Sequence, residues 1–259
     1  VISAFQDTAD SAAILEIATK AAKAGKAEMV DTVNALAAVT KAYGNTSAEQ
    51  VQYIANLSFE TIRLGQTTMP ELANGIQKVS GAAAALNVSQ AELYAGFASL
   101  TGVMGNTDNV GTALNTLYMK MLKPSTAITK AVQSFGYSSA YAMVQAEGIG
   151  NTIKKLGDYA GSADAFAAMF SMRDLKAAQQ ILNNYDVYTE KLEQLQNVTA
   201  DSEQANNAFQ TQIDNCNSSI GIIANSFSVL GQSFGQRFLP YLKDFAIMAV
   251  PAVQGWVNK

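Results

Sequence analysis

Histidine is absent from this 259-residue sequence, and cysteine occurs once, as Cys216. Without histidine there is no Ser-His-Asp or Cys-His nucleophile pair and no histidine-based metal site. A single cysteine excludes an intrachain disulfide framework and fits a chain made in a reducing cytoplasm; Cys216 reads as a buried or incidental thiol. Charge is scarce, at 15% of residues against about 25% in ordinary soluble domains. The longest basic run is Lys154-Lys155, and a net charge of −4 argues against wrapping of nucleic acid by phosphate neutralisation. Long apolar runs are also lacking: Phe245 to Val253 is nine residues long and contains Pro251, whereas a membrane-spanning helix needs about 20. Gly102-Val103-Met104-Gly105 lacks the Lys-Ser/Thr pair of a phosphate-binding loop. Glu190 with Glu193, and Asp201 with Glu203, read as solvated helix faces rather than a hydrolytic carboxylate pair, and Arg173 as a helix-surface ion pair. No residue is assigned a catalytic, cofactor-binding or metal-binding role. The chain starts at Val1 with no initiator Met and no signal-peptide pattern, and is expected to be an internal or processed piece of a longer one.

What the sequence has is helix punctuation. Ser47-x-x-Gln50, Thr68-x-x-Glu71 and Ser89-x-x-Glu92 recur 21 residues apart, each a hydroxyl residue placed to exchange hydrogen bonds with a Glu or Gln three positions on. Apolar residues follow each at helical spacing: Val51, Ile54, Ala55 and Ile62; Leu72, Ile76, Val79 and Ala83; Leu93, Phe97, Leu100 and Met104. Gly25, Gly44, Gly65 and Gly105 mark helix ends, Pro70 sits in a first turn and Pro124 forces a break.

The pattern predicts an all-α fold, a compact core of short antiparallel amphipathic helices followed by longer C-terminal helices. Its parts are leading helices over 1–45, core helices over 46–124, a Gly-interrupted elbow over 125–175, and long C-terminal helices over 176–259. Helices are expected near 8–24, 28–43, 47–64, 68–86, 89–104, 107–122, 125–135, 139–146, 149–159, 163–170 and 174–197. From Asn215 to Gln236 there are 22 uncharged residues, polar enough to exclude a standard membrane span. Gly231-x-x-x-Gly235 within them, with Leu239 and Pro240 beyond, is a candidate helix–helix interface, within the chain or between copies, or a helix that enters a bilayer only after release. The low charge leaves the same pair of readings open for the whole chain: faces covered by other subunits, or a thin Ala-rich core.

On pattern alone this is an ordinary helical bundle, but the wording of residues 63–124 is more specific. Leu64-Gly65-x-Thr67-Thr68 opens a helix, and a small-residue helix, Gly81 to Ala85, follows; Val88-Ser89 starts the next, then Gly111-Thr112-Ala113-Leu114 leads to Leu122-Lys123-Pro124. In this order the motifs closely resemble the core of bacteriophage tail tape measure proteins, including those of phage-like contractile bacteriocins. The resemblance extends upstream through Val33-Asn34-Ala35-Leu36 and Ala42-Tyr43-Gly44, and downstream through Phe170-Ser171-Met172-Arg173. Two features depart from it: Ser171 stands where the family usually has Gly, and the match loosens after Asn197.

The resemblance implies structural roles for Leu64, Gly65, Thr67, Thr68, Gly111, Leu114, Lys123 and Pro124, and no cofactor. It implies a tail-length ruler in the lumen of the tail tube near the baseplate, made in the host cytoplasm and released at the target envelope to help DNA or ions pass. The implied partners are other copies of the chain, tail tube and baseplate hub proteins, tail assembly chaperones and, transiently after release, the target membrane, with no specific nucleic acid binding. Two other readings stay open at this level: a helical scaffold or interaction protein unrelated to tails, and the non-catalytic part of a tail-associated cell-wall hydrolase.

Overall fold

A computed structural model describes Phe5 and residues 10–215. The chain divides into two compact units, Val1–Phe209 and Gln210–Lys259, and the architecture below is that of the first. Among the described residues it is all-α: α1 (Ser11–Ala24), α2 (Met29–Ala42), α3 (Ala48–Leu64), α4 (Met69–Ala85), α5 (Gln90–Met104), α6 (Thr107–Leu122), α7 (Thr126–Ser134), α8 (Ala140–Ala160), the single turn α9 (Ala163–Ala167), α10 (Met172–Asn183) and α11 (Tyr185–Gln196).

The helices begin where short polar side chains satisfy orphan N–H groups. The Ser47 hydroxyl accepts from Gln50 N at 3.2 Å, and the Glu71 carboxylate accepts from both the backbone N–H and the hydroxyl of Thr68 at 3.0 Å. Asn106, Ser125, Ser139 and Ser162 cap α6, α7, α8 and α9 in the same way. Helices stop in left-handed turns at Gly44 and Gly136, where the N–H of the following residue returns to a carbonyl five residues back: Asn45 to Thr40 at 3.0 Å and Tyr137 to Val132 at 3.2 Å. Gly25 and Gly65 also end helices, but not in left-handed turns. Gly25 is right-handed and Lys26 takes the left-handed position, while Asn87 does so after α4. What requires glycine at position 25 is space: a Cβ there would lie 2.4 Å from Met69 Cβ.

The principal packing runs between alternate helices, α1 on α3, α2 on α4 and α4 on α6, while α3–α4 and α4–α5 meet over little surface. α5 lies between α3, α6 and α11. Its spacing predicts one apolar face, yet it is buried around its whole circumference from Ala91 to Thr101. Small residues (Ala91, Ala95, Gly96, Ala98) let neighbours close in, and Ser99 and Thr101 return their hydroxyls to Ala95 O at 2.7 Å and Phe97 O at 2.9 Å, so burial strands no donor. The helix expected over 174–197 is two helices, broken at Asn184 (φ −117, ψ 34), where no glycine or proline announces the turn. The helix expected to run to 170 ends at Ala167.

Candidate functional site

The motif residues converge on two helix crossings and the turns that lead into them. At the first, α4 and α6 meet backbone to backbone. A Cβ on Gly111 would lie 2.4 Å from Gly75 O, and one on Gly75 would lie 2.9 Å from Thr107 O and from the Phe97 ring; only glycine permits such an approach. One turn later Leu114, fully buried, fills the hollow left by Gly96, where a Cβ would lie 3.0 Å from Leu114 Cδ1.

The Leu64–Thr68 turn is tied to the same crossing. The Thr67 hydroxyl is 2.7 Å from that of Thr107 at the start of α6, and Gln66 N donates to Thr101 Oγ1 at 3.0 Å. Gly65 is extended (φ −110, ψ 178) rather than left-handed; a side chain there would press on Ala98 Cα and Thr101 Oγ1, each 3.0 Å from its Cβ. Leu64 packs half-buried against the core.

At the other end of α6, Lys123 is the C-cap and donates its N–H to Met119 O at 3.0 Å. Pro124 follows, and Ser125 both caps α7 and donates to Met169 O at 2.8 Å. This holds α10 against α6, where Thr116 Oγ1 donates to Arg173 O at 3.2 Å and Lys120 pairs with the buried Asp174 at 3.4 Å. The Ser171 hydroxyl also donates to Asp174. Arg173 itself, expected in a helix-surface ion pair, forms none among the described residues: the carboxylate one position on is turned inward to Lys120.

The second node is centred on Glu92. Its Oε2 accepts from the Ser89 N–H at 3.2 Å and hydroxyl at 3.0 Å, completing the cap of α5. Its Oε1 accepts from Ile149 N at 2.8 Å, inside the break that Gly148 (φ +79) makes in α8. A Cβ on Gly148 would lie 2.3 Å from that oxygen, so both glycine's left-handed freedom and its bareness are used. Two residues on, the Tyr188 ring lies over Gly150, 2.3 Å from a notional Cβ. Burial pushes the Tyr118 and Tyr188 hydroxyls well above the usual tyrosine range, with the Glu92 charge adding to it; neither hydroxyl has a hydrogen-bond partner among the described residues. Beside this node is a cavity of about 390 Å³ lined by Ser89, Glu92, Glu147, Gly148 and Asn151 among others. Glu147 is held below the ordinary carboxylate range by Lys155, and secondarily by Tyr137.

Sequence reasoning misses a third node. Asn56, fully buried on α3, donates to the carbonyls of Thr199, Ala200 and Ser202 at 3.0, 3.1 and 2.7 Å and accepts from Ala205 N at 3.2 Å. A lone Asn in an otherwise regular helix gives no pattern by which to find it. Glu190 and Glu193 are exposed, as a solvated face requires. Among the described residues no group of three or more Cys, Asp or Glu side chains is placed to hold a metal ion, and no helix is long and apolar enough to cross a membrane. Cys216, Gly231, Gly235, Leu239 and Pro240 lie outside the described residues.

The motif residues shape helix ends and close helix crossings of an all-α fold. The family model of phage-related minor tail proteins matches residues 2–180, and the chain belongs to that family. No match was found among the curated proteins or the solved structures compared with it.

Proposed function

We propose that this phage tail protein is the ordered core of a tail tape measure. The observation that carries the reading is a coincidence of two maps: the family match covers residues 2–180, and the tape-measure-like motifs inside it are the positions that close the α4–α6 crossing and its flanking turns. In this reading several copies lie in the tail tube near the baseplate, held by tube, hub and chaperone contacts. An extended helical part of the same chain spans the tube at about 1.5 Å per residue and sets its length. On contact with the target envelope the protein leaves ahead of the cargo.

Electron cryomicroscopy of intact and discharged particles tests the location. Helical density in the tube lumen at the baseplate end, present before discharge and gone after it, is expected. Density for this chain on the outside of the tube, or retained after discharge, would contradict the reading.

A further inference from the structure

Two exposed faces of the first unit carry opposite charge, and the charged side chains that define them form no ion pair among the described residues. One is built on the α6–α10 junction. Met172 is 93% exposed and Met119 45% exposed; Met119 is one helical turn from Lys123, and Met172 one turn from Lys176 with Arg173 beside it. The Thr116–Arg173 and Lys120–Asp174 contacts bring the two helices together at this point. Between Asp108 and Glu147 the sequence holds three lysines and no carboxylate, and the nearby Asp174 is buried against Lys120, so nothing acidic from either element offsets the patch. Lys123, Arg173 and Lys176 are exposed and form no ion pair among the described residues.

The other face is on α11. Asp186, Glu190 and Glu193 follow at i, i+4 and i+7, one stripe along the helix, with Val187, 42% exposed, beside it. None of the three carboxylates forms an ion pair among the described residues. The cations nearest in the fold are engaged elsewhere: Lys191 points inward to Ala98 O at 2.7 Å, and Arg63 holds Glu60 and Gln194.

We infer that the Met119–Met172 cationic face of one copy docks on the Asp186–Glu193 acidic stripe of a second copy. Each side offers exposed apolar atoms, two methionines against a valine, beside three charges of one sign, Lys123, Arg173 and Lys176 against Asp186, Glu190 and Glu193. Because the two faces differ, the contact is heterologous: each copy leaves one face free for the next, and copies add head to tail into a ring or stack. The contact belongs to the chain alone and does not rest on the tape-measure reading.

Sedimentation velocity on the full chain and two neutral double variants, R173Q/K176Q and E190Q/E193Q, tests it. The wild type should associate with rising concentration at low salt and dissociate in about 1 M salt, where screening cuts in within a few ångströms. Each variant alone should stay monomeric, and an equimolar mixture should form a 1:1 dimer and nothing larger, since each supplies the face the other lacks. A wild type that remains monomeric throughout, association unchanged in both variants, or a mixture that does not dimerise would overturn the inference. Circular dichroism matching the wild type shows that the variants are folded.

Discussion

Glu92 Oε1 accepts the backbone N–H of Ile149 at 2.8 Å while its Oε2 caps α5, so a single carboxylate closes the start of one helix and the break in another 57 residues away. The bond is buried on both sides.

Glu92→Ala therefore leaves the Ser89 and Ile149 N–H groups without partners. A loss of about 3 kcal/mol is expected from a missing cap and a stranded buried donor, measured by urea denaturation. Faster amide exchange at Ile149 should accompany it. A change below about 0.5 kcal/mol, the scale of an ordinary surface substitution, would contradict the double role.

The α4–α6 crossing predicts two opposite effects from the same substitution. Gly111→Ala puts a methyl 2.4 Å from Gly75 O and should destabilise by about 2–3 kcal/mol as the helices are forced apart. Gly81→Ala, in the same α4 but with open space around it, should stabilise by about 0.5–1 kcal/mol through helix propensity. Thermal melts of the two variants decide the matter, and equal signs would refute the close-approach account.

Asn56→Leu, at a buried position, removes three donated bonds and one accepted bond to the 199–205 turn. About 3 kcal/mol should be lost, and exchange protection at Ala205 should fall while that in α4 and α6 holds at moderate denaturant. Protection at Ala205 that is unchanged would mean the turn is held by something else.

Alkaline pH should unfold the protein steeply. Burial raises the pKa of Tyr43, Tyr94, Tyr118 and Tyr188 in the folded chain, so above pH 10, the ordinary tyrosine value, the unfolded chain releases protons that the folded chain retains. Stability is unaffected below that value and falls above it, by about 1.4 kcal/mol per pH unit for each such tyrosine. Lys191, whose pKa is lowered by burial, opposes this with the reverse sign but is one group against four. Part of the tyrosinate absorbance should rise only together with loss of helicity; ionisation of all ten tyrosines before unfolding would contradict the burial of these rings.

Helix ends are legible in this sequence because capping is local chemistry. Ser47, Thr68, Ser89 and Pro124 act within a few residues of themselves, and the boundaries they mark lie within a residue or two of those in the structure. The close crossing is legible only as wording: Gly111 and Leu114 stand out as a motif, but their partners Gly75 and Gly96 are set by tertiary approach. Glu92 shows the same limit from another side. Its capping role is in the spacing, while its second bond to Ile149 depends on where α8 passes. The turn at Asn184 and the Asn56 clasp leave no periodic trace at all, since each rests on hydrogen bonds between segments far apart in sequence or on a single residue's dihedrals.

Tail length against chain length tests the tape-measure reading most directly. In the particle that encodes this chain, whole helical turns are removed from the extended part of the protein, leaving residues 10–215 intact, and tails are measured by electron microscopy. A deletion of about 36 residues should shorten the tail by about 54 Å, at about 1.5 Å per helical residue, and successive deletions should fall on one line. Tails of unchanged length across the series would contradict it.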